Sequence, residues 1–115
     1  MKKELPLFSH WLDVVGVILD RAGRFPKNLR PTLGNRLVDR ALDALEEIVA
    51  LRYTKERTEL FGKVNLSLEQ VRILVRISFE KRLISSKQYH QLAAAIDTCG
   101  RMIGGWRRSS GKSVR

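Results

Sequence analysis

The sequence has a single cysteine, Cys99, and no long hydrophobic run among its 115 residues. One cysteine cannot form a disulfide within the chain, so a reducing cytoplasm is expected. No apolar stretch approaches the length that a membrane-spanning helix needs, so no membrane partner is expected. Lys2 and Lys3 precede apolar residues as in a signal peptide, but His10 and Asp13 interrupt that run and no small-residue cleavage site follows. We therefore expect a cytoplasmic protein.

The sequence also lacks the groupings of residues that catalysis and metal binding require. His10 and His90 are far apart, neither has a neighbour at metal-ligand spacing, and one cysteine cannot complete a zinc site. The string from Gly105 to Ser113 looks like a phosphate-binding loop, but five residues instead of four separate its first glycine from Gly111. We therefore predict no catalytic residue, no metal or cofactor, and no enzymatic activity.

Acidic residues are missing from two long segments, Arg21 to Val38 and Thr98 to Arg115. The formal net charge is +10, of which residues 1–50 contribute +1 and residues 51–115 contribute +9. Fourteen of the 22 basic residues are arginine, whose planar guanidinium binds phosphate and stacks on bases. Because crowded like charges repel one another, we expect a polyanionic partner, of which nucleic acid is the commonest. The alternative is a solvated basic surface without a partner.

Apolar residues recur at spacings of three and four throughout the chain, which predicts helices, and no stretch alternates with a period of two. Short links between four helices predict an antiparallel up-down-up-down four-helix bundle over residues 1–108, followed by a flexible basic tail over residues 109–115. The predicted apolar faces are Phe8, Trp11, Leu12, Val15, Ile18, Leu19 and Ala22; Leu33, Leu37, Ala41, Leu45 and Ile48; Leu60, Val64, Leu68, Val71, Val75 and Ser78; and Tyr89, Leu92, Ala93, Ile96, Cys99 or Gly100, Ile103 and Trp106.

Helix boundaries follow from capping and turn residues. Pro6 suits a first turn and Gly23 ends the first helix, after which the linker from Arg24 to Pro31 is predicted to be an exposed turn. Thr32 is predicted to cap the second helix and Thr54 the third, which is expected to be one long helix, with a start at Ser67 as the alternative. Ser85 and Gln88 fit a capping box that opens the fourth helix.

The predicted topology brings the helix 1–2 linker and the helix 3–4 turn to one end of the bundle. The helix 2–3 turn and the chain's C-terminal end meet at the other, so both ends are predicted to be basic, with Arg72 and Arg76 forming a stripe between them. Gly100 and Gly104 share a helix face, where a neighbouring helix, from this chain or another subunit, approaches closely or nucleic acid makes contact. Trp106 is predicted to anchor the core or a subunit interface, with base stacking as the alternative.

Four segments resemble the accessory variability determinant proteins of diversity-generating retroelements. They are Arg24-Phe25-Pro26-Lys27 with the helix that follows, Ala50-Leu51-Arg52-Tyr53, Arg72-Ile73-Leu74-Val75-Arg76, and the most distinctive, Gly100-Arg101-Met102-Ile103-Gly104-Gly105-Trp106. The resemblance covers about residues 5–108. It implies a small basic four-helix bundle without catalytic activity, which assembles into a pentameric barrel.

The resemblance also implies partners. Such proteins bind the element's reverse transcriptase and its RNA or DNA, and the complex copies a template repeat into adenine-mutated cDNA that replaces a variable repeat. The candidate contacts with nucleic acid or polymerase are Arg24, Lys27, Arg30, Arg36, Arg72, Arg76, Arg101, Arg107, Arg108 and Lys112. Two alternatives stay open: a related bundle of the rRNA intervening-sequence type that binds ribosomal RNA, and a basic oligomeric scaffold that docks an acidic protein.

Overall fold

The computed structural model describes residues 6–113, and side chains within that range up to residue 110. Four α-helices account for most of it: α1 (Pro6–Ala22), α2 (Asn35–Tyr53), α3 (Thr58–Glu80) and α4 (Ser86–Ser113). A single π-helical turn, Arg30–Gly34, leads directly into α2. No strand occurs among residues 6–113, so the predicted all-helical fold is confirmed for this part of the chain.

The helices form an antiparallel bundle in which each helix packs against the next and α1 closes the arrangement against α4. Between α3 and α4, three contacts follow one another in antiparallel register. Phe79 stacks on Tyr89 at a centroid distance of 4.5 Å, Arg72 pairs with Asp97, and Phe61 meets Trp106 edge to face at 5.6 Å. The turn between α3 and α4 and the C-terminal part of α4 therefore lie at opposite ends of the bundle.

The core is a continuous cluster of apolar side chains contributed by all four helices. Trp11 is fully buried, and its indole Nε1–H donates a 2.9 Å hydrogen bond to the Ala41 carbonyl of α2. This bond satisfies the one polar atom of the indole, which would otherwise be costly to bury. It also fixes the second turn of α1 against the second turn of α2. Phe25, from the predicted exposed linker, is likewise buried, with 1% of its surface exposed.

Several predicted boundaries are confirmed. Helix α1 includes Pro6, the first residue that the structure describes, and ends immediately before Gly23. Helix α3 is one uninterrupted helix from Thr58, so the alternative start at Ser67 is wrong. At the start of α4, the backbone N–H of Gln88 donates to the Ser85 hydroxyl at 3.1 Å. The backbone N–H of Ser85 donates in return to the side-chain oxygen of Gln88 at 2.8 Å. These two bonds are the predicted capping box.

Two predicted N-caps are wrong. Thr32 lies inside the π-helical turn, where its hydroxyl donates to the Leu29 carbonyl at 3.3 Å, and the Gly34 amide donates to the same carbonyl at 2.9 Å. Thr54 follows α2, and its hydroxyl donates back to the Ala50 carbonyl at 2.7 Å instead of capping α3. In both places the threonine satisfies a carbonyl that precedes it in the chain, a local bond that competes with capping.

The buried faces of the helices differ in part from the predicted ones. Leu12 and Leu19 are 43% and 49% exposed, so their assignment to the core of the first helix is wrong. The predicted core residues that are only partly buried are Phe8, Leu33, Leu45, Leu60, Tyr89, Ala93 and Trp106, and the buried residues that the pattern missed include Leu7, Val14, Ala44, Leu51, Phe61 and Ser67. Cys99, and not Gly100, is the buried member of its pair.

Helix α4 continues past Ser109, where the sequence predicts a flexible tail, and remains helical through Ser113. Its 28 residues span about 42 Å at a rise of about 1.5 Å per residue. The remaining two residues of the predicted tail lie outside the described range. The boundary at residue 108 therefore does not coincide with the end of the helix.

Candidate polyanion-binding surface

One end of the bundle, the linker end, contains the α1–α2 linker and the α3–α4 turn. A groove of about 580 Å³ is lined by Leu29, Pro31 and Arg36 from the linker and α2, by Ile77 of α3, and by Lys81, which follows α3. The linker and Lys81 are thus close together, as the topology predicts.

The linker owes its shape to Phe25, whose buried ring packs against Gly34. A Cβ at Gly34 would lie 3.5 Å from that ring. Arg30 supports the turn, because its Nε donates a 2.9 Å hydrogen bond to the Phe25 carbonyl. Arg24 and Lys27 are exposed, and neither has an ion-pair partner among the described residues. They are therefore two of the unpaired cations of this end.

The opposite end, the tail end, combines the α2–α3 turn with the C-terminal part of α4. The Arg57 guanidinium lies over the Trp106 ring at 5.6 Å, and its Nε donates to the Thr54 carbonyl at 2.8 Å. Trp106 is partly buried between Arg57 and Phe61, so one face of its ring is already occupied. The predicted anchoring role of Trp106 agrees with these contacts, whereas base stacking on the face that Arg57 covers would have to displace Arg57.

Three exposed arginines on α4 extend the positive surface of the tail end. Arg101 donates to the Thr98 hydroxyl at 3.3 Å, which leaves its charge unneutralised. Arg107 and Arg108 are exposed without a described carboxylate partner. Lys112 is in the helical part of the chain whose side chains are not described, so its contribution stays a prediction.

The predicted stripe between the two ends is not a line of free cations. Arg72 pairs with Asp97 of α4 and with Glu69, whose Oε1 lies 3.0 Å from its Nε. Arg76 pairs with Glu80 at 3.0 Å. Partial burial lowers the pKa of the Arg72 guanidinium, but the hydrogen bonds to Asp97 and Glu69 outweigh it and the net shift is upward. Both arginines are charged, yet nearby carboxylates neutralise them.

Arg36 also has acidic surroundings. It is exposed at the start of α2 and lines a surface groove together with Asp39, Asp43 and Glu46. These carboxylates reduce the positive potential around it. Of the ten candidate residues, the structure therefore brings Arg24, Lys27 and Arg30 together at the linker end and Arg101, Arg107 and Arg108 onto α4, and it surrounds Arg36, Arg72 and Arg76 with acids.

No described helix of the same chain packs closely against the glycines of α4. Among the described residues, no atom outside the local helix backbone lies within 4 Å of the position that a Cβ would take at Gly100. At Gly104 and Gly105 the nearest such atoms belong to the Arg108 guanidinium, at 3.4 and 3.9 Å. The predicted close approach within the chain is therefore wrong, and approach by another subunit or by nucleic acid stays a prediction.

Sequence reasoning missed two features of the surface. The first is a set of exposed large apolar side chains on α1, α2 and α3, two of which, Leu12 and Leu19, the helical pattern assigned to the core. The second is Arg21, whose Nε is shielded from solvent without a hydrogen-bond acceptor among the described residues. The only indication in the sequence that Arg21 lacks an acidic partner nearby is that it begins a segment without acidic residues.

Within the described residues, no group of three or more histidine, cysteine and acidic side chains is arranged to hold a metal ion. None of the described helices is long and apolar enough to span a membrane. The buried thiol of Cys99 is also unreactive in character, because burial raises its pKa to about 11.

The comparisons with known proteins bear on almost the whole chain. The model of the family described as bAvd-like matches residues 9–110, which include α2, α3 and most of α1 and α4. No curated protein matches the sequence. The family match extends from α1 to the exposed arginines of α4 and agrees with the four-helix architecture. The chain therefore belongs to the bAvd-like family, the bacterial accessory variability determinant proteins.

Proposed function

We propose that this protein is a non-catalytic accessory subunit of a diversity-generating retroelement that binds the element's reverse transcriptase together with its RNA and DNA. In this role it supports mutagenic cDNA synthesis and retrohoming and needs no cofactor of its own. Membership in the bAvd-like family is the observation that carries the proposal. The unpaired cations at the two ends of the bundle support the part that concerns nucleic acid.

The proposed binding is electrostatic and directed at the phosphate backbone. Arg24 and Lys27 at the linker end, and Arg107 and Arg108 on α4, are exposed and free of carboxylate partners in the described chain. Contacts from such side chains to phosphates release counterions and carry no sequence information. We therefore expect little sequence preference and a steep dependence of affinity on salt. Arg72 and Arg76 contribute less, because binding phosphate would require them to leave their carboxylate partners.

We also propose that the protein works as a homo-pentamer. Exposed apolar side chains recur seven residues apart, and thus on one face, in three helices: Leu12 and Leu19 on α1, Leu42 and Val49 on α2, and Leu66 and Ile73 on α3. Such repeated exposure of large apolar side chains is typical of protein interfaces. Five copies of a +10 chain would carry about +50, which multiplies the number of phosphate contacts.

The exposed apolar side chains lie on surfaces that are compatible with a ring of identical subunits. Residues His10 and Val17 of α1 face the groove toward α4, so Leu12 lies on the other flank, beside α2. Glu47 accepts a 2.7 Å hydrogen bond from Ser67 of α3, so Leu42 lies on the opposite flank of α2, beside α1. The exposed apolar patch on α1 and α2 (Leu12, Leu19, Leu42 and Val49) and the exposed apolar pair on α3 (Leu66 and Ile73) are therefore different surfaces. A ring with cyclic symmetry needs two different surfaces that contact each other head to tail.

Nucleic-acid binding is tested by fluorescence anisotropy with generic RNA and DNA from low to physiological salt. The logarithm of the binding constant is expected to fall linearly with the logarithm of salt concentration. The double variant Arg24→Gln/Lys27→Gln is expected to reduce that slope by about 2, since each phosphate contact contributes about 0.9. The matched control is Arg76→Gln, which also removes a cation, but one already paired with Glu80, and it is expected to change the slope by much less than one contact.

A flat salt response, or equal slopes for the end variant and the control, would reject the nucleic-acid part of the proposal. Copurification with the reverse transcriptase tests the polymerase part separately. If the polymerase binds after nuclease treatment while generic RNA and DNA do not bind at all, the protein is a scaffold that docks another protein.

The pentamer is tested by native mass spectrometry at several protein concentrations. Leu12→Glu and Leu66→Glu are expected to dissociate the assembly, because each places a charge in one of the two proposed contact surfaces. The control is Ala94→Glu, which places the same charge on an exposed position of α4 outside both surfaces. A mass corresponding to another number of copies would contradict the pentamer, and assembly that survives both leucine variants would contradict the proposed surfaces.

A further inference from the structure

Tyr53, the last residue of α2, is the most exposed large apolar side chain of the described residues, with 76% of its surface open to solvent. The other aromatic residues lie in the core, as Trp11, Phe25 and Phe61 do, or pack against it, as Phe8, Phe79, Tyr89 and Trp106 do. Tyr53 has no ring partner in the described part of the chain. Its ring therefore takes no part in the core, and both the sequence pattern and the family match leave it without a role.

Two unpaired cations flank Tyr53 in the chain. Arg52 precedes it in the last turn of α2, and Lys55 follows it in the α2–α3 turn. Both are exposed, and neither has an ion-pair partner among the described residues. The same segment contains the acids Glu56 and Glu59, so its positive charge is small when the turn is taken alone.

Helix α4 adds to that charge. The Arg57 guanidinium lies over the Trp106 ring at 5.6 Å, which brings the C-terminal part of α4 to the α2–α3 turn. Arg107 and Arg108 follow Trp106 directly and are exposed, without a described carboxylate partner. The tail end thus presents one exposed aromatic ring, Tyr53, among more cations than carboxylates.

A nucleotide uses the ring and the cations together. Its phosphate is attracted by the cations, and its base has a flat π-face that stacks on an aromatic ring with little dependence on sequence. An acidic peptide would use only the cations. An apolar partner would cover the ring, but it would also have to desolvate unpaired charges at a cost. Bases are free to stack on a protein only where a strand is unpaired, because in a duplex they stack on one another.

We propose that Tyr53 stacks on a base of a single-stranded nucleic acid whose phosphates contact the cations of the tail end. This inference rests on the proposed nucleic-acid binding and adds to it a preference for unpaired strands. Phosphate contacts alone do not give that preference, because a duplex carries the denser charge, about one per 1.7 Å of its axis. Loss of the ring therefore removes the preference for single strands and leaves phosphate binding in place.

The test measures the affinity of the full chain for three DNA probes of equal length: a mixed-sequence single strand, its duplex, and a single strand with the same phosphates but without bases. Tyr53→Leu keeps an apolar side chain and removes the ring. It is expected to weaken binding of the mixed-sequence strand about tenfold, within the range for base–aromatic stacking. The other two probes are expected to change by less than about twofold, because their phosphates contact only cations.

Two matched variants separate the ring from the charge. Tyr53→Phe keeps the ring and is expected to keep the affinity for the mixed-sequence strand. Arg52→Gln removes a neighbouring cation and is expected to weaken binding of all three probes alike. A further measurement needs no variant: a single strand that carries 5-iodouracil is expected to crosslink to Tyr53 on irradiation, since this photoreaction joins the modified base to an aromatic ring stacked on it.

The proposal is wrong if Tyr53→Leu weakens the strand without bases as much as the mixed-sequence strand, if it weakens neither, or if crosslinks form only at other residues. A lower assembly mass of Tyr53→Leu in native mass spectrometry would also overturn it. That result would place Tyr53, one turn beyond Val49, in a subunit contact. Failure of nucleic-acid binding as a whole is distinguishable, because none of the three probes would then bind to the unaltered chain.

Discussion

Replacing Arg72 is expected to destabilise the bundle, because its guanidinium connects α3 to α4. It donates to Asp97 on the other helix and to Glu69 one turn earlier on its own. The sequence alone suggests that replacing both Arg72 and Arg76 with Glu weakens RNA or polymerase binding and leaves the helices intact. In the structure, Arg72→Glu removes two ion pairs and places three carboxylates next to one another.

The expected loss of stability follows from how exposed the paired side chains are. The side chains of Arg72, Asp97 and Glu69 are 32%, 48% and 59% exposed, so solvent screens both pairs and each is worth about 0.2–1 kcal/mol. We expect a coupling free energy of about 0.7 kcal/mol between Arg72 and Asp97. Arg72→Glu adds repulsion of similar size and is expected to cost about 2 kcal/mol in total. At roughly 4–6 °C per kcal/mol for a chain of this size, its Tm falls by about 10 °C.

The assay is a double-mutant cycle in urea, with Arg72→Gln, Asp97→Asn and the combined variant measured at one fixed protein concentration. Arg76→Gln is the control, since its partner Glu80 lies on the same helix, and it is expected to cost about 0.4 kcal/mol. A coupling energy within about 0.2 kcal/mol of zero, or an Arg72→Glu variant as stable as Arg76→Gln, would refute the reasoning.

Three further changes are expected to alter stability. Ser85→Ala removes one half of the capping box and is expected to cost about 1 kcal/mol in urea unfolding, with Ser86→Ala, one residue inside the helix, as the milder control. Burial raises the pKa of the Cys99 thiol to about 11 from 9.0, so the unfolded chain ionises first. Stability is then fully present below pH 9 and falls by up to about 3 kcal/mol toward pH 11, and a Cys99→Ala variant with the same alkaline slope would contradict this. Arg82 has a φ of 62°, so Arg82→Gly is expected to raise stability by about 0.5 kcal/mol, whereas an equal gain in Arg82→Ala would exclude relief of backbone strain.

The fold was largely predictable because helical periodicity and local capping chemistry depend on neighbouring residues. Gly23 and the Ser85–Gln88 pair act within one or two turns of chain, and both boundaries are confirmed. The wrong caps, Thr32 and Thr54, failed because a threonine hydroxyl can serve a preceding carbonyl as well as a following amide. Nothing in the sequence around them decides between these two bonds.

The candidate site was predictable only in part, because charge is visible in a sequence and pairing is not. The segregation of acids identified both basic ends. It could not show that Arg72 meets Asp97, which is 25 residues away in sequence, and this contact depends on the register of α3 against α4. Leu12 and Leu19 were assigned to the core for a similar reason. Apolar spacing marks a stripe on a helix, but the positions of the neighbouring helices decide how much of that stripe is covered.

In the proposed function, the arrangement of paired and unpaired arginines links self-association to polyanion binding. The described ion pairs engage Arg40, Arg72 and Arg76 on α2 and α3, whereas Arg24 and Lys27 at the linker end and Arg107 on α4 have no carboxylate partner among the described residues. In the proposed ring, copies that stand side by side place these unneutralised cations next to one another, and their repulsion opposes assembly. A bound polynucleotide neutralises the same cations and lowers that repulsion. Because coupling between two binding equilibria is reciprocal, nucleic acid then favours the ring as much as the ring favours nucleic acid.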